Sequence, residues 1–358
     1  MANRLILAVA GSRKTQGIVD HCASLTCERR AVIVTYTQRN QTELRARLRD
    51  CGGGRPTIVV TGWFTFLLRE FARPFIPLKF PEARVRGFNF DGRPHMYAAG
   101  INRFLDQDGA VYKSELGRLA YELIIASDGA SIRRLECMYD EIHIDEVQDL
   151  SGYDWEVVDA LLRSRLDVQM VGDIRQAVLS TNPRGQKNKK YAYAEVIGWF
   201  REREAAGLIE IVENSTTWRC RPEIAHFSDS IFDSSWPFPQ TASMNHRVTG
   251  HDGVFLVHPK NVFEYMARYR PQCLRDSANS GKKLNLDYMN FGQAKGATFS
   301  RVLVVPTDGI QQFVKSGKVL APVSAARFYV AVTRAEQSVA IVLDDPGGSC
   351  LPWWHPEP

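Results

Sequence analysis

Apolar residues along this chain gather in short runs, and most runs are followed by a stretch in which they recur at helical spacing. RLILAVA at 4–10 breaks into GSRKT and then into a helical pattern reaching about Leu25, which predicts strand, loop and helix in succession. AVIVTYT is short and β-branched. NQTELRARLRD carries apolar residues at helical spacing and ends at the glycines 52–54, a second such unit. TIVVTG leads into the apolar and aromatic helix FTFLLREFARPF. Strands alternating with helices imply a mostly parallel α/β sheet.

From about Pro77 to Ser131 the pattern loosens into Pro-, Gly- and Arg-rich sequence, then a helical segment, SELGRLAYELIIA, and it reads as an insertion. The alternation resumes with YDEIHIDEVQDL, a helix from about Tyr153 to Arg163 and the strand DVQMVGD. A basic loop, NPRGQKNKKY, precedes a helix around Glu195 to Glu204. IEIVENS then opens a second α/β domain, whose other strands are GVFLV, LNLDYM, SRVLVVP and SVAIVLD, with SSWPFPQTASMNHRVTGHDG as a long loop. The expected organisation is a first domain at 1–205 with an insertion at about 77–131. A second domain at 206–345 has a reduced insertion at about 233–285, and 346–358 is a tail.

Composition adds limits. The 44% hydrophobic and 24% charged fractions are those of an ordinary globular protein, and 358 residues suffice for two cores. No apolar run reaches the ~18 residues of a membrane span, and no signal-peptide pattern opens the chain, so the expected location is the cytoplasm. Seven scattered cysteines form no paired CxxC spacing and read as reduced packing thiols. The net charge of +5 is compatible with a polyanionic partner without requiring one.

Three strand ends carry candidate chemistry. AVAGSRKTQ at 8–16 has the shape of a phosphate cradle: a Gly-containing turn, Lys-Thr and a helix N-terminus facing an anion. Val9 and Arg13 stand where the GxxxxGK[ST] pattern has glycines, so alone it reads equally as an ordinary strand-to-helix turn. EIHIDEVQDL sets Asp145 and Glu146 directly after an apolar strand, where one carboxylate can hold magnesium and the other orient a water. By itself DE is more simply an acidic strand end. VGDIRQ ends a third strand with Gln176, which can sense a γ-phosphate or merely sit in a surface turn.

Taken together and in order, these segments resemble the superfamily 1 helicases of the UvrD/Rep/PcrA type. VTYTQRNQTELRARL looks like their motif Ia, TGWFTF like Ib, DEVQDL like the DExQD box and VGDIRQ like motif III. TTWRCRPEI resembles the NYRSxxxI segment, NFGQAKGATFSRVLVV motif V and FYVAVTRAEQSVAIV motif VI. The resemblance implies two RecA-like P-loop NTPase domains with a nucleotide cleft between them, and accessory domains reduced or absent. It implies an ATP-hydrolysing motor using ATP and Mg²⁺ and moving on or gripping single-stranded or partly duplex DNA. Ala10, Gly11, Ser12, Arg13, Lys14, Thr15 and Gln16 would line the phosphates, with Thr15 and Asp145 on the metal and Glu146 activating water. Gln176, Arg219 and Arg334 would contact the γ-phosphate. Trp218 takes the place of the base-stacking tyrosine, though a core tryptophan is an equal reading. Thr35, Thr37, Thr61, Trp63, Phe64 and Lys295 would contact DNA, and Trp63 and Phe64 read equally as core.

The pattern is departed from at Leu179 and Thr181, where motif III has aromatic residues, at Gly292, where motif V has a histidine, and at Thr298, where it has a glutamate. A short chain of this type resembles the helicase-like subunit of the Gabija anti-phage system, which works beside an OLD-family nuclease with a TOPRIM domain. That implies a protein partner, for which 183–190 and PWWHPEP are candidate surfaces, although a solvated loop and a tail packed on its own domain are the simpler readings. A second reading, from a different class, is a nucleotide-sensing regulatory subunit of a nuclease complex with little unwinding activity.

Overall fold

A computed structural model describes residues 3–51, 57–182, 185–236 and 238–356. The Gly52 to Gly54 helix stop, residues 183–184 of the basic loop and the last two residues of the tail lie outside them. The chain forms two compact units, neither contiguous in sequence.

The first unit comprises the residues up to Leu7, then Lys14–Gly172 and Leu179–Val212. Its sheet has six strands: β1 (Arg4–Ala8), β2 (Ala31–Thr35), β3 (Ile58–Gly62), β4 (Glu141–Asp145), β5 (Asp167–Gly172) and β6 (Glu210–Asn214). They run in the order β3-β2-β4-β5-β1-β6. β2 pairs in parallel with β3 and β4, and β5 pairs in parallel with β4 and β1. Every residue of β2 is buried, which explains its unbroken apolar run. Helix α1 (Lys14–Ser24) covers one face with Ile18, Val19 and Cys22, and α2 (Gln38–Asp50) adds Leu44 and Leu48. Thr37 caps α2 by accepting from the Asn40 N–H at 3.1 Å.

The aromatic helix after β3 is helical over Trp63–Leu67 and Arg73–Lys79, with a wider π turn at Leu68–Ala72 between them. The predicted insertion is narrower than 77–131. Two short strands, Gly87–Asn89 and Ala110–Tyr112, pair within it, but the helix Leu116–Ala126 buries Leu116, Leu119, Ala120 and Leu123 completely and belongs to the core.

Asp154 opens the helix Asp154–Leu162 and is buried. Loss of hydration pushes its carboxyl up to about 6, with a hydrogen bond from Thr181 offsetting part of the effect. Because the folded value lies above the ordinary 3.8, the stability this group contributes is complete below pH ~4 and is lost as pH rises through ~6. Asp154→Asn removes the titration. Calorimetric melts at pH 4, 6 and 8 are expected to show the variant gaining up to roughly 3 kcal/mol at pH 8 and no advantage at pH 4.

The second unit comprises Ala8–Arg13, Asp173–Val178 and everything from Glu213. The strands of its main sheet are β7 (Gly253–Val257), β8 (Gln272–Arg275), β9 (Tyr288–Asn290), β10 (Phe299–Val305) and β11 (Ala335–Val342), in the order β7-β11-β10-β8-β9. All four pairings are parallel. The architecture is thus mixed α/β with parallel sheets.

Two expectations need correction. IEIVENS does not open the second sheet: β6 closes the first one beside β1, an edge position that suits its largely exposed residues. The segment 233–285 is not an insertion as a whole, because it supplies β7, β8 and the helix Val262–Tyr269. The tail packs on its own sheet. Pro352 and Trp354 bond the backbone of Leu256 in β7 on either side, and the Trp354 ring sits against Tyr265 and Tyr269. No helix among the described residues is long and apolar enough to cross a membrane.

Candidate functional site

In the first unit, three parallel strands end level with one another. Leu7 of β1 stands opposite Gly172 of β5, and Asp145 of β4 opposite Val171. Loops at the carboxyl ends of such strands are where open α/β sheets hold ligands. α1 starts at Lys14, so Lys14 and Thr15 lie in its first turn, where free N–H groups and the helix dipole favour an anion. Lys14 Nζ is 3.2 Å from Glu146 Oε1, both side chains largely buried. Asp145 is 2% exposed and accepts from the Glu146 N–H at 3.1 Å. Glu146 has φ +56°, a left-handed backbone that costs a non-glycine residue energy and turns its side chain out of the strand's alternation. Gln148 donates to the second Glu146 oxygen. Gln16 does not face this group: it donates to Asp20 at 2.7 Å and accepts from Arg47 at 3.1 Å.

The second unit holds the remaining predicted phosphate contacts in one hydrogen-bonded chain. The Ala10 N–H donates to the Tyr329 hydroxyl at 3.3 Å, and that hydroxyl is 3.4 Å from Asp173 Oδ2. Gln176 donates to the same Asp173 oxygen at 2.6 Å, and its own Oε1 accepts from Arg334 Nη2 at 2.9 Å. Arg334 is 1% exposed and also donates to the carbonyls of Val330 and Ala297. Arg219 donates to the Thr333 carbonyl at 3.1 Å. Burial and the neighbouring Asp173 charge push the Tyr329 hydroxyl far up, so it stays neutral. Arg175, unremarked in the sequence, is buried too. Burial opposes its charge, but Tyr329, Asp173 and Asp229 outweigh that and hold it protonated. It ties Asp229, Thr241 and the Pro239 carbonyl together.

Residues 8–16 differ from the expected phosphate cradle in an informative way. Gly11 has φ +77°, and a Cβ there would stand 2.5 Å from Arg219 Cβ and 2.7 Å from Thr217 Oγ1, so only glycine fits. Arg13, in place of a glycine, adopts φ +62°. Its guanidinium lies 4.1 Å from the centre of the Trp218 ring, a cation–π contact that joins the two substitutions. Trp218 is 45% exposed and therefore no core residue. The Ala10 and Ser12 N–H groups are committed to Tyr329 and to the Val9 carbonyl, which narrows the predicted role of these two residues. Ser12 Oγ, by contrast, is buried with no hydrogen-bond partner. In the first unit Lys14, Asp145 and Glu146 supply the donor types that a polyphosphate and its magnesium ion take, and in the second the lone buried Ser12 hydroxyl stands in a glycine-only turn.

The predicted nucleic-acid contacts divide. Trp63 is 1% exposed and packs in the core, so its stacking role is withdrawn; Thr35 and Thr61 are also buried. Phe64 stays half-buried at the surface, 5.9 Å from the Tyr36 ring, and Lys113 Nζ lies 4.8 Å from its centre. Lys113 is also 5.9 Å from Tyr36 and 6.0 Å from Phe90, which is 58% exposed. Tyr36, Phe64, Phe90 and Lys113 thus form an aromatic and cationic patch in the first unit. Sequence reading missed three of its four members because they are dispersed from 36 to 113. Lys295 lies half-buried in the turn after β9.

No family model matches the sequence, and no curated protein does. Among solved structures, the complex of arterivirus nonstructural protein 10 (helicase) with DNA matches at a TM-score of 0.51 and 16% identity. The match covers 96% of this chain and 61% of that chain, so this chain spans about three-fifths of that helicase's length. At this identity the likeness concerns the fold, which is of the kind found in that helicase.

Proposed function

We propose that this chain is a nucleoside-triphosphate-driven motor acting on single-stranded DNA, of the superfamily 1 helicase kind. The observation that carries the reading is the hydrogen-bonded series Ala10, Tyr329, Asp173, Gln176, Arg334, which links the phosphate loop to two groups suited to a γ-phosphate. In this reading Lys14 and the first turn of α1 bind the phosphates. Glu146 takes a proton from the attacking water, and Gln176, Arg219 and Arg334 stabilise charge as it develops. A bound Mg²⁺, held by Thr15 and Asp145, would neutralise phosphate charge. Trp218, backed by Arg13, offers ring surface to a base. Gain or loss of the γ-phosphate would be felt by Gln176 and Arg334 together, since they share a hydrogen bond. DNA would bind on Tyr36, Phe64, Phe90 and Lys113, aromatic faces and a cation being what sequence-independent single-strand binding requires.

One observation favours the second reading, a nucleotide sensor with slow turnover: the internally bonded Ala10 and Ser12 amides leave the loop fewer donors for phosphate. DNA cleavage would need another chain, for which an OLD-family TOPRIM nuclease is the proposed class. ATP hydrolysis with and without single-stranded DNA separates the two. A motor is expected to turn over several-fold faster with DNA. In Phe64→Ala the DNA concentration for half-stimulation should rise about 5- to 100-fold, the equivalent of roughly 1–3 kcal/mol per lost stack. ATP binding with no DNA response would instead establish the sensor.

A further inference from the structure

We propose that His21, Glu141 and His143 form a binding site for a divalent transition metal, with Zn²⁺ the best match. The three come from two elements of the first unit. His21 lies in the last turn of α1, while Glu141 and His143 are the first and third residues of β4 and so point to the same face of the strand. His21 Nε2 is 2.7 Å from Glu141 Oε2, and His143 Nε2 is 3.1 Å from the same oxygen. The three donor atoms all lie within 4.8 Å of one another, and the two rings are tilted by 53° with centres 5.1 Å apart.

Two imidazoles and one carboxylate are a three-ligand zinc set that leaves the fourth position for water. Ligand distances of about 2.0–2.2 Å in a tetrahedron require donors roughly 3.3–3.5 Å apart, so from 3.1 Å the His143 spacing to Glu141 need open by about 0.2–0.4 Å and from 2.7 Å that of His21 by about 0.6–0.8 Å. Each imidazole would then coordinate through Nε2 and carry its proton on Nδ1. Exposure fits entry from one side: Glu141 and His143 side chains are 1% and 2% exposed and form a floor, whereas His21 is 34% exposed. The second Glu141 oxygen is already held by Arg29, through Nη2 at 2.7 Å and Nε at 3.1 Å, and Arg29 also bonds Asp167. That outer contact fixes Oε2 toward the imidazoles, the arrangement by which outer-shell partners orient a ligand. Arg29 thus sets one positive charge against the carboxylates of Glu141 and Asp167.

The site joins the far ends of two elements whose near ends carry the candidate chemistry. α1 begins at Lys14, about 10 Å along the helix from His21, and β4 ends at Asp145, about 13 Å along the strand from Glu141. A metal here would hold helix and strand in fixed register without touching the nucleotide.

The test uses the full-length chain, freed of metal by a chelator and titrated with Zn²⁺ by calorimetry and with Co²⁺ by visible absorption. One Zn²⁺ per chain is expected, with a four-coordinate Co²⁺ band, and binding should weaken at least 10-fold in His21→Ala and in Glu141→Gln. Zn²⁺ should also raise the melting temperature of the parent chain and not of His21→Ala. If the parent chain takes up no Zn²⁺ and gives no Co²⁺ band, the three residues are an ion-pair cluster only and the proposal fails. It fails equally if a folded His21→Ala binds as tightly as the parent. The parent Co²⁺ spectrum decides the matter even if a variant does not fold.

Discussion

Glu146→Gln is expected to bind ATP as the parent chain does and to hydrolyse it about 100- to 10,000-fold more slowly, the range a positioned general base supplies. Glutamine keeps the length of the side chain and an oxygen to accept from Gln148, but cannot take a proton from water. The backbone argues the same way. A left-handed φ of +56° directly after a buried strand costs a non-glycine residue energy and aims the Glu146 carboxylate at Lys14 and Gln148. Single-turnover hydrolysis beside fluorescent-nucleotide binding makes the measurement. Turnover within a few-fold of the parent would remove Glu146 from the chemistry and with it the motor reading. Lys14→Ala is the counterpart: it should lose binding, because it removes an ammonium 3.2 Å from a carboxylate that would otherwise repel phosphate.

Arg334→Ala should fail in two ways at once. Removing a buried guanidinium leaves Gln176 Oε1 and the Val330 and Ala297 carbonyls without that donor, at a cost of roughly 2–4 kcal/mol in stability. Loss of the cation itself should lower kcat about 1,000-fold or more, as for other arginines that stabilise phosphoryl transfer. Arg334→Lys separates the effects: a charge is retained but not the fork that reaches Val330 and Gln176 together. Lysine is therefore expected to recover most of the melting temperature and little of the turnover. Near-parental turnover in the lysine variant would show that Arg334 holds structure alone.

The parts of this molecule that were legible in sequence are those written in local periodicity. β2 is an unbroken apolar run because every residue of it is buried, whereas β4 and β5 alternate apolar with polar residues; Asp145 ends β4, Glu146 follows it, and Gln176 lies four residues beyond the end of β5. What periodicity does not encode is destination. IEIV looks the same whether it opens one sheet or closes another, and β6 did the latter. β8 escaped notice because its four residues, QCLR, contain only one strongly apolar side chain among polar ones. Neighbouring aromatic residues met opposite fates, Trp63 buried and Phe64 at the surface, because the helix they start turns successive residues to different faces. His21 and Glu141 of the cluster are 120 residues apart in sequence, and no spacing rule reaches that far.

The chain passes from one compact unit to the other at 7/8, 13/14, 172/173, 178/179 and 212/213. Neither unit is therefore a module that a single recombination breakpoint can deliver. A fragment ending at 205 would carry pieces of both and lack the outer strand of the first sheet, whereas one beginning at 213 would lack the glycine-only turn and Gln176. Each unit is therefore completed only when stretches far apart in the sequence are present in the same chain.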